Sequence, residues 1–233
     1  MTVAKKKANK QNADTAPKRR ARPGRPSKSD QLKYADTSRE RLLAVAIDVF
    51  SEYGYQAVST SQIAKQAGMA QSMVHYHFRT KERLWKTAID HLMHELGRKF
   101  PIVRDELKDL DPVSRLKVMT RRFIKISATD VSLVRIVLHE GTVPSSRLRW
   151  FVRAYLAPGY DDFDTAVKAG IQDGLIKDMP VYAISQSIIS IATYVFCVAP
   201  LVKEVHSVDV TTPETIDELA DTILEIIFTG ILK

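Results

Sequence analysis

The sequence predicts an all-α chain, with an N-terminal three-helix unit followed by a longer helical region. Three observations predict it. Few stretches alternate apolar and polar residues at period two, which leaves helix as the economical reading. Residues 59–81 read as two short helices around a tight turn at Gly68. Downstream, apolar residues recur at helical spacing between Gly141, Pro144, Pro158, Gly174, Pro180 and Pro213.

At 233 residues the chain can bury a sizeable core, and its length allows one or two domains. The single cysteine, Cys197, excludes an intramolecular disulfide and fits a reducing cytoplasm. No apolar run follows the basic N-terminus, so no signal peptide is read there. The formal net charge is +8, and residues 1–37 hold eleven Lys/Arg against Asp14, Asp30 and Asp36. The whole excess therefore sits at one end, which points to a polyanionic partner rather than a generally basic globule. Residues 1–36 carry almost no large apolar side chains and read as a disordered basic arm. Within it Gly24-Arg25-Pro26 resembles an AT-hook core, in which Arg25 would lie in the narrow minor groove of A·T-rich DNA. Simple phosphate contact by a solubilising tail is the plainer alternative.

The first helix is expected from Thr37 or Ser38, with Thr37-x-x-Glu40 as a capping box. Its buried stripe is Leu42, Leu43, Ala46, Val49, Phe50 and Tyr53, and Gly54 ends it. Ser59 caps the second helix, with Gln62 three residues on. Ile63, Ala64 and Ala67 face inward, and Gly68 supplies the turn. A third helix begins near Gln71 and packs back through Met73 or Val74, His77 and Phe78. This is the helix-turn-helix pattern, whose second helix enters the DNA major groove. Thr80 caps a longer helix that runs to about Phe100, with Pro101 as a stop.

The residues Ile63-Ala64, Ala67-Gly68, Val74-His-Tyr-His-Phe78 and Thr80-Lys81-Glu82-Arg-Leu84 closely resemble the DNA-binding signature of the tetracycline-repressor (TetR) family. The resemblance spans about residues 38–86. It implies a helix-turn-helix DNA-binding domain over 37–86 and a C-terminal helical ligand-binding and dimerisation domain over 87–233, joined by the fourth helix. On the recognition helix, Gln71, Ser72 and Met73 are the candidates to reach base edges, Gln71 by bidentate contact with adenine. Thr60, Ser61, Tyr76 and Lys81 are placed to meet phosphate. The chain departs from the family at His75, where tyrosine is usual, so the phosphate role of that position is open. His77 reads as a packing histidine ahead of a DNA contact.

Beyond residue 100 helices are expected at about 112–128, 131–140, 145–157, 159–173, 180–202 and 213–232. Met179–Val202 carries no charge and is long enough for a membrane span, but Ser185, Gln186, Ser187, Ser190 and Thr193 argue against one. Ile184, Ile188, Ile191, Val195 and Val198 instead line one helix face, and Ile216, Ile223 and Ile227 line another in the last helix. These are the candidate homodimer interface, forming a four-helix contact between two chains. Phe123, His139, Trp150 and Tyr155 are candidates for a small-molecule pocket, each also readable as core. His91, His94 and Glu95 share a helix face, but no further metal ligand is identifiable. No nucleophile–base arrangement or phosphate-binding glycine loop emerges, so no enzyme and no cofactor is read.

Taken together these features predict a cytoplasmic, homodimeric DNA-binding regulator of bacterial type, a repressor released from a palindromic operator by an effector. An architectural, nucleoid-type DNA binder without effector and a direct activator are the alternatives.

Overall fold

Helix α1 (Lys28–Ala57) opens the computed structural model, which describes residues 28–100 and 107–233. Helix-favouring residues continue upstream of Thr37 without Gly or Pro, so Thr37 lies inside α1 rather than capping it. Gly54 breaks the helical path with φ 73° and ψ 164°, as expected of a residue without a Cβ. Arg25 and the rest of residues 1–27 lie outside the described residues.

Three side-chain caps and a glycine turn follow from local sequence. Ser59 Oγ accepts from the Gln62 N–H at 3.1 Å and starts α2 (Thr60–Gln66). Gly68, at φ 67°, turns the chain into α3 (Gln71–Phe78). Thr80 Oγ1 accepts from Arg83 N–H at 3.1 Å and starts α4 (Lys81–Lys99). Asp111 takes two N–H donors, at 3.0 Å each, to start α5 (Pro112–Thr129). Then come α6 (Ser132–Gly141), α7 (Ser146–Phe151) and α8 (Ala157–Gln172). The chain closes with α9 (Val181–Cys197), α10 (Ala199–His206) and α11 (Pro213–Ile231).

Two further boundaries differ from the sequence expectation, and proline explains both. Helices α7 and α8 are continuous through a π-helical turn at Val152–Leu156, where a break at Pro158 was expected. A proline cannot donate to the carbonyl four residues back and its ring crowds that carbonyl; the wider π turn just before Pro158 accommodates it. Conversely, the single helix expected over 180–202 divides at Val198, with Pro200 in the first turn of α10. Among the described residues no single helix is long and apolar enough to cross a membrane, and α9 and α10 meet at a 71° bend.

Residues 37–233 form one compact unit with two apolar cores. The first holds Leu42, Phe50, Ile63, Val74, Phe78 and Trp85 from α1–α4, and is completed by Leu133, Ile136 and Phe151 from α6 and α7. The second joins α5, α8, α9 and α11 around Leu116, Ile124, Val167, Ile188 and Ile223. Ile176 pins the chain end to this core, since it bridges to Leu232 and is fully buried. A Cβ on Gly170 would lie 2.5 Å from Ile176 Cδ1 and 2.9 Å from Cγ1. Gly170→Ala is therefore expected to destabilise by about 1–3 kcal/mol, measured by denaturant unfolding. An unchanged unfolding midpoint would show that Ile176 can repack.

The four-helix interface residues need correction. Ile184, Ile188, Ile223 and Ile227 are at most 6% exposed within a single chain, so they build its own core. Ile191 stays exposed, Val195, Val198 and Ile216 are half-buried, and Tyr182, Tyr194 and Ile226 are the large side chains left facing outward. A helix that is apolar on several sides gives no periodic signal to say which side its own chain covers.

Candidate functional site

The α2–α3 pair is held by Ile63, Ala64 and Ala67 against Val74 and Phe78, all buried. That packing fixes what α3 presents outward. Gln71 and Ser72 are exposed in its first turn, and His75 and Tyr76 are exposed further along, Tyr76 at 71%. Met73 is half-buried against the first core, which limits its reach toward bases. Ser61 is exposed and Thr60 half-buried at the start of α2.

His77 turns inward. Its Nε2 is buried without a hydrogen-bond partner among the described residues, and its ring lies edge-on to Tyr76 at 4.9 Å. Burial, with the nearby Arg39 cation, holds its pKa below the ordinary histidine value, so the ring stays neutral at pH 7. Lys81 is also drawn inward. Its Nζ sits 4.3 Å from the Tyr55 ring centroid and donates to the Gln56 carbonyl at 3.4 Å. Burial and the Arg147 charge lower its pKa. Lys81 thus ties α4 to the end of α1 in addition to standing at a helix N-terminus.

Arg147, on α7, closes on the same tyrosine. Its guanidinium is 3.7 Å from the Tyr55 ring centroid, and its Nε donates to Glu140 Oε1 at 3.2 Å. Trp150 stacks edge-on to Trp85 of α4 at 5.7 Å, and Phe151 meets Trp85 at 6.1 Å. One turn on, within the π segment, Tyr155 donates to Asp90 of α4 at 2.5 Å. Burial first, then this bond and the Asp90 charge, push the Tyr155 hydroxyl up to about 12. From Arg147 to Tyr155, then, α7 and the π turn are fastened along α4, the helix that follows the recognition helix.

Tyr155 also lines a cavity of about 260 Å³. Its walls are largely apolar: Met93 and Leu96 of α4, Met119 and Phe123 of α5, Leu156 and Phe163, with Arg115 and Arg122 among them. A second, more open cleft lies elsewhere, between Ser51, Arg135, His139, Tyr194 and Cys197, where burial pushes the Cys197 thiol up.

The family described as "Bacterial regulatory proteins, tetR family" matches residues 42–87. The chain is 24% identical over 139 residues to the fatty acid metabolism regulator protein of Bacillus subtilis (strain 168), covering 59% of this chain and 70% of that one. It is 26% identical over 156 residues to the transcriptional repressor NicS of Pseudomonas putida, covering 64% and 70%. Among solved structures, AibR in complex with isovaleryl coenzyme A and operator DNA superposes with a TM-score of 0.64. That superposition is at 21% identity and covers 82% of this chain and 98% of AibR. Residues 42–87 of this chain are thus similar to a TetR-family DNA-binding region.

Of the four pocket candidates, Phe123 and Tyr155 meet at the cavity and the other two do not. His139 lies at the second cleft, 3.0 Å from where a Cβ on Gly54 would sit, and Trp150 is spent on Trp85 and Tyr155. His91 and His94 gather no metal-type cluster among the described residues, and Glu95 is bonded to Arg98 at 3.1 Å. Arg115, Arg122, Asp90, Arg147 and Tyr55 escaped the sequence reading. Their partners are distant in sequence, and the one local signal at the cavity is the five cations carried by α5.

Proposed function

We propose that this chain is a homodimeric, sequence-specific DNA-binding regulator, a repressor that leaves a palindromic operator when a small molecule fills the α4–α5–α8 cavity. The observation that carries it is the double role of Tyr155, which lines the cavity and is bonded to Asp90 on α4. A ligand with different affinities for two placements of α4 shifts the balance between them, and α4 follows the recognition helix directly. Gln71 and Ser72 would read bases, while His75 and Tyr76 meet phosphates. The exposed face of α9 and α11, with Tyr182, Ile191, Tyr194 and Ile226, would meet its equivalent on a second chain. Such a protein acts in the cytoplasm, beside the chromosome, and performs no catalysis.

Selection from a random duplex library with the full-length chain and with a chain starting at Ala35 tests this. Both should enrich one palindrome whose half-sites lie about 34–36 Å apart or a multiple of it. The concentration of net charge in residues 1–37 favours one second reading, an architectural binder driven by the arm. In that case only the full-length chain enriches, it enriches A·T-rich tracts, and its steep salt dependence disappears with the arm.

A further inference from the structure

Helix α5 carries five cations, and they divide by face. Arg121 is ion-paired with Asp221, Lys125 lies 3.0 Å from Asp217, and Lys117 lies over the Phe228 ring at 5.4 Å. All three are engaged with α11. Arg115 and Arg122, two turns apart, share the stripe with Met119 and Ile126 that lines the cavity. Neither has a carboxylate partner among the described residues, and the Arg115 Nε is buried with no hydrogen-bond acceptor. Asp162 lines the cavity too and is itself engaged.

A buried guanidinium donor left without an acceptor costs free energy that a bound anion would return as a charge-assisted bond. Around these two cations the walls are Met, Leu, Ile and Phe, which reward apolar area and offer few other polar groups. We propose that the effector is an anionic amphiphile, an apolar body of moderate length with a carboxylate or phosphate head held by Arg115 and Arg122. The inference rests on the regulator reading above and specifies its ligand. At about 260 Å³ the cavity is somewhat smaller than the roughly 300–1,000 Å³ typical of ligand sites, which favours a medium-length chain over a long one.

The test is calorimetric titration of the full chain with decanoate, decanamide and decanoyl-coenzyme A below their micellar concentrations. Decanoate should bind about 10–150-fold more tightly than its neutral amide, the range of a charge-assisted hydrogen bond. Arg115→Gln and Arg122→Gln should each erase most of that ratio while leaving decanamide binding unchanged. Tight binding of the thioester but not of the free acid would assign the head to a phosphate-bearing carrier and sustain the anionic class. Equal binding of acid and amide, or no binding of either charged probe, would overturn it. Both arginine variants should still melt cooperatively and bind the selected operator, because both side chains line the cavity and neither is carried by α2 or α3. Failure of the ligand class with an operator still selected thus differs from failure of the regulator reading, in which no palindrome is enriched.

Discussion

Replacing Arg147 with alanine is expected to lower the melting temperature by roughly 6–20 °C. The Glu140–Arg147 pair is buried, with side chains 4% and 15% exposed, and its Nε–Oε1 distance is 3.2 Å. Removing one partner of a buried pair costs about 3–5 kcal/mol, because a charge is left in a poor solvent. For a chain of this size each kcal/mol moves the midpoint by about 2–4 °C. Ser145, 3.4 Å from Glu140 Oε2, cannot replace a guanidinium. The same change strips the Tyr55 ring of its 3.7 Å cation. Glu140→Gln with Arg147→Met should recover much of the loss, since a neutral pair leaves no uncompensated charge. A midpoint shift of less than about 2 °C for Arg147→Ala would show that water reaches Glu140 and that α7 is not fastened there.

The second large effect is on DNA. Gln71→Ala should weaken binding to the selected operator by about 2–6 kcal/mol for a dimer. A bidentate base contact is worth about 1–3 kcal/mol, and each half-site loses one. That is roughly 30-fold to 20,000-fold in dissociation constant. Affinity for a scrambled duplex should change little. Tyr76→Phe should instead weaken all sequences alike by a modest factor, as a lost phosphate contact does. Fluorescence anisotropy at fixed salt measures both. If Gln71→Ala weakens operator and scrambled duplex equally, Gln71 is not a base reader.

The helix-turn-helix was legible because its signals are local. Ser59, Gly68 and Thr80 each act within four residues of themselves, as caps or as a turn. Several helices beyond residue 110 were legible for the same reason, through Pro144 and Pro213. What local pattern could not supply was the partner. Ile184 and Ile188 sit at the spacing of an intersubunit seam but face α5 and α8, while the polar-looking row of Tyr182, Ser190 and Tyr194 is left outside. Lys81 stands where a phosphate binder should and is met by Tyr55 and Gln56, some 25 residues back. Arg115 and Arg122 look like any surface cations until the paired Arg121 and Lys125 are seen on the other side of the helix.

The π turn at Val152–Leu156 has a bearing on how relatives are aligned. Such a turn absorbs one inserted residue, which in a regular helix would rotate everything after it by roughly 100°, so the later residues keep the faces of a helix one residue shorter. A relative with a regular helix here is one position shorter, and an ungapped alignment would match its cavity wall to the wrong letters. Deleting one residue from the turn itself would let the helix close to regular α geometry and leave Tyr160 and Phe163 in the cavity wall. The same deletion made further along α8, beyond the turn, would instead rotate every later residue by about 100° away from the wall it now faces.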